Sequence, residues 1–250
     1  MLSIIIPVFN QLEMTQECIE AVLKSTNTIS EFIIIDNGSE PHFTLPAMGN
    51  IEVTVIRNEE NLGFPVAVNQ GIRVAKGDII CLLNNDVIVT PGWADKLISW
   101  LDKYDIVSPC TNFASGLQSV DIGVYEDNEE LAKEAALWAK ENKNISEEVN
   151  WVIGFVFMFK KALYEELGAF DEALWPCCGE EIDFCLRAKE AGKKCGIARD
   201  VYVHHHGSQT FAAINEEHSY NEINKRNVEH LTKRWGHFPQ SEGGRRYSGK

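Results

Sequence analysis

Three clusters of polar residues combine types and spacings that could do chemistry. Asn84-Asn85-Asp86 closes an apolar run from Ile79 to Leu83. A carboxylate flanked by two amides beside apolar sequence suits a hard divalent cation carrying phosphate oxygens, and it also fits an ordinary turn after a strand. Gly179 to Arg187 places Glu180, Glu181 and Asp183 at the start of a helical pattern. Asp183 and Arg187 stand four apart and can pair, and early carboxylates suit a helix N-terminus. Glu181 projects about 200° from Asp183, which leaves its carboxylate free to face the sheet edge. The third cluster is His204-His205-His206, following a short strand pattern. Alternation puts His204 and His206 on one strand face and His205 on the other, and a borderline imidazole joined to a carboxylate and phosphate oxygens would suit Mn²⁺ well, with Mg²⁺ also possible.

Positioning such groups requires elements that bring them to one edge. Ile79 to Leu83 has the length and branching of a strand buried on both faces, so Asn84, Asn85 and Asp86 fall at its carboxyl end, where open α/β sheets bind ligands. Ser3 to Val8 and Glu31 to Asp36 repeat the design, each an apolar strand entering a polar turn. Leu12–Lys24 and Val66–Ala75 read as helices and Ile51–Ile56 as a third strand, so the order is β-α-β-β-α-β and the sheet is mostly parallel. Ile88 to Asp105 reads as a helix starting near Pro91, Ile106–Cys110 as a strand and Asp127–Asn142 as a polar surface helix. Glu148 to Phe159 reads as one strand with Trp151, Ile153, Phe155, Phe157 and Phe159 on one face, interrupted at Gly154, where a ligand or backbone comes close. Lys161–Leu167 is a short helix closed by Gly168. Gly116–Tyr125 has no clear period.

The chain has 250 residues, 44% of them hydrophobic, and a net charge of -14. That charge argues against a nucleic-acid groove, which needs clustered Lys and Arg. No stretch reaches the roughly 18 apolar residues of a membrane span, and Met1 to Pro7 reads as a first strand rather than a signal peptide. The expected location is cytoplasmic. Seven cysteines without CxxC pairs read as reduced thiols rather than a zinc site. From Lys225 onward the charge turns basic, through Arg226, Lys233, Arg234, Arg245, Arg246 and Lys250. That makes the tail a candidate for peripheral contact with the inner membrane face, with disorder after Gly236 the simpler expectation.

Ser3-Ile-Ile-Ile-Pro-Val-Phe-Asn10, Ile33-Ile-Ile-Asp-Asn-Gly-Ser39, Asn61-Leu-Gly-Phe64 with Asn69 and Gly71, and Leu82-Leu-Asn-Asn-Asp86, in this order and spacing, resemble the GT-A family 2 glycosyltransferases. The resemblance resumes at Gly154, Gly168–Asp171, Gly179–Arg187 and His204–Ser208. It implies a GT-A fold, a Rossmann-like α/β architecture with a central sheet flanked by helices. It also implies an inverting transfer from a nucleoside-diphosphate sugar, UDP- or dTDP-linked, to a glycan or protein acceptor. By resemblance, Pro7, Val8, Asn10 and Asp36 hold base and ribose, Asn61, Gly63 and Asn69 line the same pocket, and Asn84, Asn85, Gly154 and Glu180 complete the donor site. Asp86 and His205 bind the metal, with His204 and His206 as alternates. Glu181 is the base, with Glu180 and Asp183 as alternates. Asn84 stands where the family often has Asp, which removes one negative charge. Residues 1–214 then form the transferase domain and 215–250 a C-terminal helix and basic tail, with Ser208–Ala213 as a closing loop.

Other functions fit less well. A dehydrogenase would show G-x-G-x-x-G after the first strand, and a nucleotidyltransferase a Gly-rich basic loop. A non-catalytic nucleotide-sugar or glycan-binding module on the same fold predicts binding without turnover.

Overall fold

The computed structural model describes residues 1–27, 29–49, 51–207 and 220–236. β1 (Leu2–Val8) lies between β2 (Ile29–Asn37) and β4 (Ile79–Leu83) and runs parallel to both. That central placement is why its apolar residues are continuous rather than alternating. β3 (Glu52–Asn58) extends the parallel half beyond β2 and forms one edge, where no residue before Asn58 is fully buried. Helices α1 (Leu12–Ser25) and α2 (Phe64–Val74) make the crossovers, and Pro65 sits in the first turn of α2, where a missing N–H is harmless.

Beyond β4 the sheet changes character. β8 (Val156–Lys160) pairs antiparallel with both β4 and β6 (Ile106–Thr111), and β9 (Cys195–His205) runs parallel to β6. β5 (Val87–Ile88) and β7 (Ser146–Val149) add antiparallel to β9. The nine strands follow the order β3-β2-β1-β4-β8-β6-β9-β5, with β7 off this path. Six of them, β1, β2, β3, β4, β6 and β9, share one direction, so the expected mostly parallel α/β sheet is present. Among the described residues the remaining α-helices are α3 (Trp93–Trp100), α4 (Asn128–Glu141), α5 (Lys161–Leu167), α6 (Glu180–Glu190) and α7 (Tyr220–Trp235).

Two expectations need correction. Glu148–Phe159 is not one strand, because β7 stops at Val149 and the chain is irregular to Phe155. There the N–H of Ile153 donates to Gln118 Oε1 at 2.6 Å, and Gln118 is itself anchored on Ser108 Oγ and the Pro109 carbonyl. A buried side chain therefore takes the hydrogen bond a neighbouring strand would have taken. Likewise, the stretch from Ile88 to Asp105 is helical only over α3, since Val87 and Ile88 pair with His205 and His204. The expected loop Ser208–Ala213 and the chain after Gly236 lie outside the described residues.

Candidate active site

The carboxyl ends of β1 and β4 open onto a cavity of about 530 Å³. Its floor is set by the turn after β4. The Asn84 N–H donates to the Phe155 carbonyl at 3.0 Å, which holds the turn against β8's approach. Asn85 Nδ2 donates to Thr15 Oγ1 on α1 at 2.8 Å. Asp86 is then carried to β9: its carbonyl accepts from the His206 N–H at 3.0 Å, and β5 follows at once in register with His205.

His205 is fixed on every side. The Asn112 side chain accepts from its N–H at 2.8 Å and donates to its carbonyl at 3.1 Å. Its ring stacks on Phe155 with centroids 5.2 Å apart and meets the edge of Phe113. Nδ1 lies 2.9 Å from the Phe113 carbonyl, which can only accept, so in the neutral ring the proton is on Nδ1 and Nε2 carries a lone pair. That lone pair faces Asp86 Oδ1 at 3.2 Å, and Asp86 Oδ1 is buried without a hydrogen-bond partner. With the ring neutral, two acceptors stand face to face, an arrangement that a bound cation, or a proton on Nε2, would satisfy. The carbonyl behind Nδ1 is the outer support that metal-binding imidazoles characteristically use. Among the described residues no group of three or more His, Cys, Asp or Glu is arranged to hold a metal. Asp86 and His205 could supply two ligands to a cation, whose other positions would then fall to phosphate oxygens or water. His204 and His206 point elsewhere. Tyr125 Oη lies 2.7 Å from His204 Nδ1, and His206 Nε2 is 3.9 Å from Glu17. Burial, with the neighbouring histidines, pushes His204 down to about 4.

The acidic pair enters from the opposite wall. Gly179, at φ 105° in the left-handed region, turns the chain into α6, and both Glu180 and Glu181 reach the cavity. Glu181 Oε2 accepts from the Gly179 N–H at 3.2 Å. Burial raises its carboxyl above the ordinary range. Glu180 is raised further, by burial first and then by Glu181 and Cys178, and its Oε2 is buried without a partner. Asp183 does not belong to the cavity. It is fully buried, with Arg187 Nε 2.8 Å from one oxygen and Trp235 Nε1 3.1 Å from the other.

Of the residues singled out in the sequence, Pro7, Val8, Asn61, Asn84, Asn85, Asp86, Gly154, Glu180, Glu181 and His205 line the cavity. Asp36 does not. It is 2% exposed and its carboxylate accepts from the Ser39 and Phe43 N–H groups and from Arg57 Nη1 at 2.7 Å. Burial pushes its pKa up, but these bonds outweigh it and hold it below the usual range. Asn69 is also a strut rather than wall, with its amide joining the backbone of Phe170 and the side chain of Glu172. Asn10 ties its loop to Ser39 and Glu40. Gly63 shapes the rim indirectly: a β-carbon there would come 2.6 Å from the Trp175 ring, and the next N–H, of Phe64, donates to the Pro176 carbonyl. The sequence reading missed Asn37, Phe113–Ser115, Ile153, Phe155 and Pro176–Cys178 as wall residues. Asn37 had a signal, being the polar residue beside Asp36 at the same strand end. The loop after β6 had none.

The sequence model of the family described as glycosyl transferase family 2 matches residues 3–168. Glycosyltransferase AglE of Haloferax volcanii is 25% identical over 210 residues, covering 80% of this chain and 64% of that protein. An uncharacterized glycosyltransferase of Haemophilus influenzae is 32% identical over 113 residues, 45% of this chain and 37% of its own. The chain thus spans between about a third and two thirds of the length of these curated relatives. Among solved structures, GalNAc-T7 with UDP, GalNAc and Mn²⁺ superposes with a TM-score of 0.63 at 18% identity, covering 82% of this chain and 42% of that one. S. aureus TarS 1-349 in complex with UDP-GlcNAc gives 0.57 at 13%, covering 94% and 72%. These likenesses bear out the GT-A fold. With the family match spanning well over half its length, the chain belongs to glycosyl transferase family 2.

Proposed function

We propose that this chain transfers a sugar from a nucleoside diphosphate, of uridine or thymidine, to a hydroxyl of a glycan or protein, with inversion and with Mn²⁺ or Mg²⁺. The observation that carries the reading is the face-to-face pair of Asp86 Oδ1 and His205 Nε2, 3.2 Å apart, in the same cavity as Glu181. Family membership supports it, as does the presence of UDP and Mn²⁺ in the GalNAc-T7 structure.

Asp86 and His205 would hold the cation, which when bound offsets the diphosphate charge and stabilises the leaving group. The chain's own residues do the rest. Pro7, Val8, Asn37, Asn61 and Phe64 offer an apolar slot with amide edges for base and ribose. Glu181 takes the proton of the acceptor hydroxyl as its oxygen bonds to the anomeric carbon and the bond to the diphosphate breaks. One displacement inverts the carbon, so one base suffices where a retaining hydrolase needs two carboxylates. Burial places the Glu181 carboxyl above its ordinary range, nearer to the pH at which a general base is most effective. Phe113, Ala114, Ser115 and Ile153 form the remaining wall, where the acceptor would enter. We place the reaction on the cytoplasmic side; no described helix is long and apolar enough to cross a membrane.

The test is thermal unfolding against nucleoside diphosphates and nucleotide sugars, with and without Mn²⁺, on wild type and Asp86→Ala, followed by turnover on wild type and Glu181→Gln. A ligand at 100 times its Kd adds about 2.7 kcal/mol, or roughly 5 to 10 °C for a domain of this size. Stabilisation that needs metal and disappears in Asp86→Ala upholds the site. Binding without turnover, unchanged in Glu181→Gln, would make the chain a binding module instead.

A further inference from the structure

The wall that carries the acidic pair is irregular backbone, and its order comes from α7, some fifty residues further along the chain. The carbonyls of Leu174, Cys177 and Cys178 converge on one side-chain nitrogen, Asn227 Nδ2, at 3.4, 2.8 and 3.0 Å. Asn227 is 2% exposed. One turn on, buried Leu231 fills the space beside Gly179, where a β-carbon would come 2.8 Å from its Cδ1. A further turn on, Trp235 Nε1 donates to Asp183 Oδ1 at 3.1 Å, with Arg234 Nε 3.2 Å from the same oxygen. Residues 227, 231 and 235 share one helix face. That face holds the loop before Glu180, the glycine on which the chain turns, and the first buried carboxylate after Glu181.

We propose that Asn227 is a positioning residue for the transfer: through the carbonyls of residues 174 to 178 it sets where Glu180 and Glu181 stand relative to the Asp86–His205 pair. The inference rests on the proposed transferase reading. A side-chain amide suits the task because its NH₂ group satisfies several backbone acceptors at once, and buried carbonyls without a donor would rearrange toward water. The Asp86–His205 pair does not hang on α7, since Asn112, Phe113 and β5 fix it from the other side. Loss of the Asn227 donor should therefore separate chemistry from nucleotide binding. A displacement of about 1 Å at a catalytic group is enough to cost 100-fold in rate.

The experiment uses the full chain as wild type, Asn227→Ala and Asn227→Asp, the last nearly isosteric but without the NH₂ donor. Three quantities are measured for each: affinity for UDP with Mn²⁺, release of UDP from UDP-sugars, and the rate at which a soluble disulfide reagent labels thiols. Cys177 and Cys178 are the two half-buried cysteines, and the other five are buried, so fast labelling reports on this loop. The expected result is UDP affinity within twofold of wild type, UDP release at least tenfold lower in both variants, and labelling at least fivefold faster. Trp235→Phe, which removes one donor and keeps an aromatic though smaller ring, should lower UDP release severalfold at unchanged affinity, and it decides the matter if the Asn227 variants do not fold. Release within twofold of wild type in the folded variants, or affinity and release falling together, overturns the proposal. Wild type that neither binds nor releases UDP, dTDP or other nucleoside diphosphates would sink the transferase reading itself, while the labelling comparison still reports whether Asn227 orders the loop.

Discussion

Gly154 stands directly against Glu181: a β-carbon at 154 would lie 3.4 Å from Glu181 Cβ, 3.6 Å from Cγ and 4.0 Å from the carboxyl carbon. The first methyl group fits and a branched side chain does not. Gly154→Ala should keep turnover within about threefold of wild type. Gly154→Val should lower it at least tenfold with nucleotide affinity retained, because its γ-methyls push the carboxylate away from the acceptor hydroxyl. Steady-state kinetics beside a nucleotide titration checks this, and equal turnover in Val and Ala variants would remove Glu181 from the proposed role.

The three histidines should separate cleanly. His205→Ala is expected to abolish Mn²⁺-dependent stabilisation by nucleotide. His204→Ala and His206→Ala should leave it within twofold, since one ring is committed to Tyr125 and the other sits on the opposite strand face near Glu17. Melting curves with and without Mn²⁺ test the set, and loss in His204→Ala alone would move the ligand assignment.

Glu180 gives a pH signature. Its carboxyl is raised by burial and by Glu181, so the folded chain holds a proton there more tightly than the unfolded chain does. Stability from this group is present below the unfolded value of about 4.3 and is lost as pH rises toward the folded value. Glu180→Gln cannot ionise, so its melting temperature relative to wild type should climb between pH 4 and 8, while turnover falls. A pH-independent difference between the two proteins would show that the carboxyl is not strained by its surroundings.

Asp36 should matter for folding rather than for the ligand. Its pKa is depressed in the folded chain, so its contribution is present above the unfolded value of about 3.9 and lost as pH falls below it. Asp36→Ala should cost about 2 to 3 kcal/mol at neutral pH, less than a fully buried pair because Arg57 keeps some solvent contact. Urea unfolding measures the cost. Nucleotide affinity reduced tenfold in a stable variant would return Asp36 to the binding site.

What could be read in advance depended on whether a residue's duty was local. β1, β2 and β4 announce themselves by unbroken apolar runs, and Asp86 is placed by the strand that precedes it. Glu181 follows from helix geometry after Gly179. Asp36 and Asn69 show the limit of that logic. A polar residue at a strand end or in a helix faces either the ligand or the protein, and only the partners decide. Arg57 for the first, and Phe170 with Glu172 for the second, lie 21 and about a hundred residues away in sequence. Asn112, which grips both backbone atoms of His205, was invisible for the same reason, with 93 residues between them.

The strand order carries a consequence for synthesis. Asp86 leaves the ribosome with its strand, yet its partner His205 arrives 119 residues later on β9, and β8, the strand between the two halves of the sheet, arrives in the interval. At about 5 to 20 residues per second that gap lasts on the order of ten seconds. Until it closes, the parallel half of the sheet exposes the edge of β4 and a carboxylate without its imidazole. The nascent chain is therefore a half-sheet with an open seam where the cavity will be, and a chaperone or metal ion that meets it early meets a different molecule from the finished one.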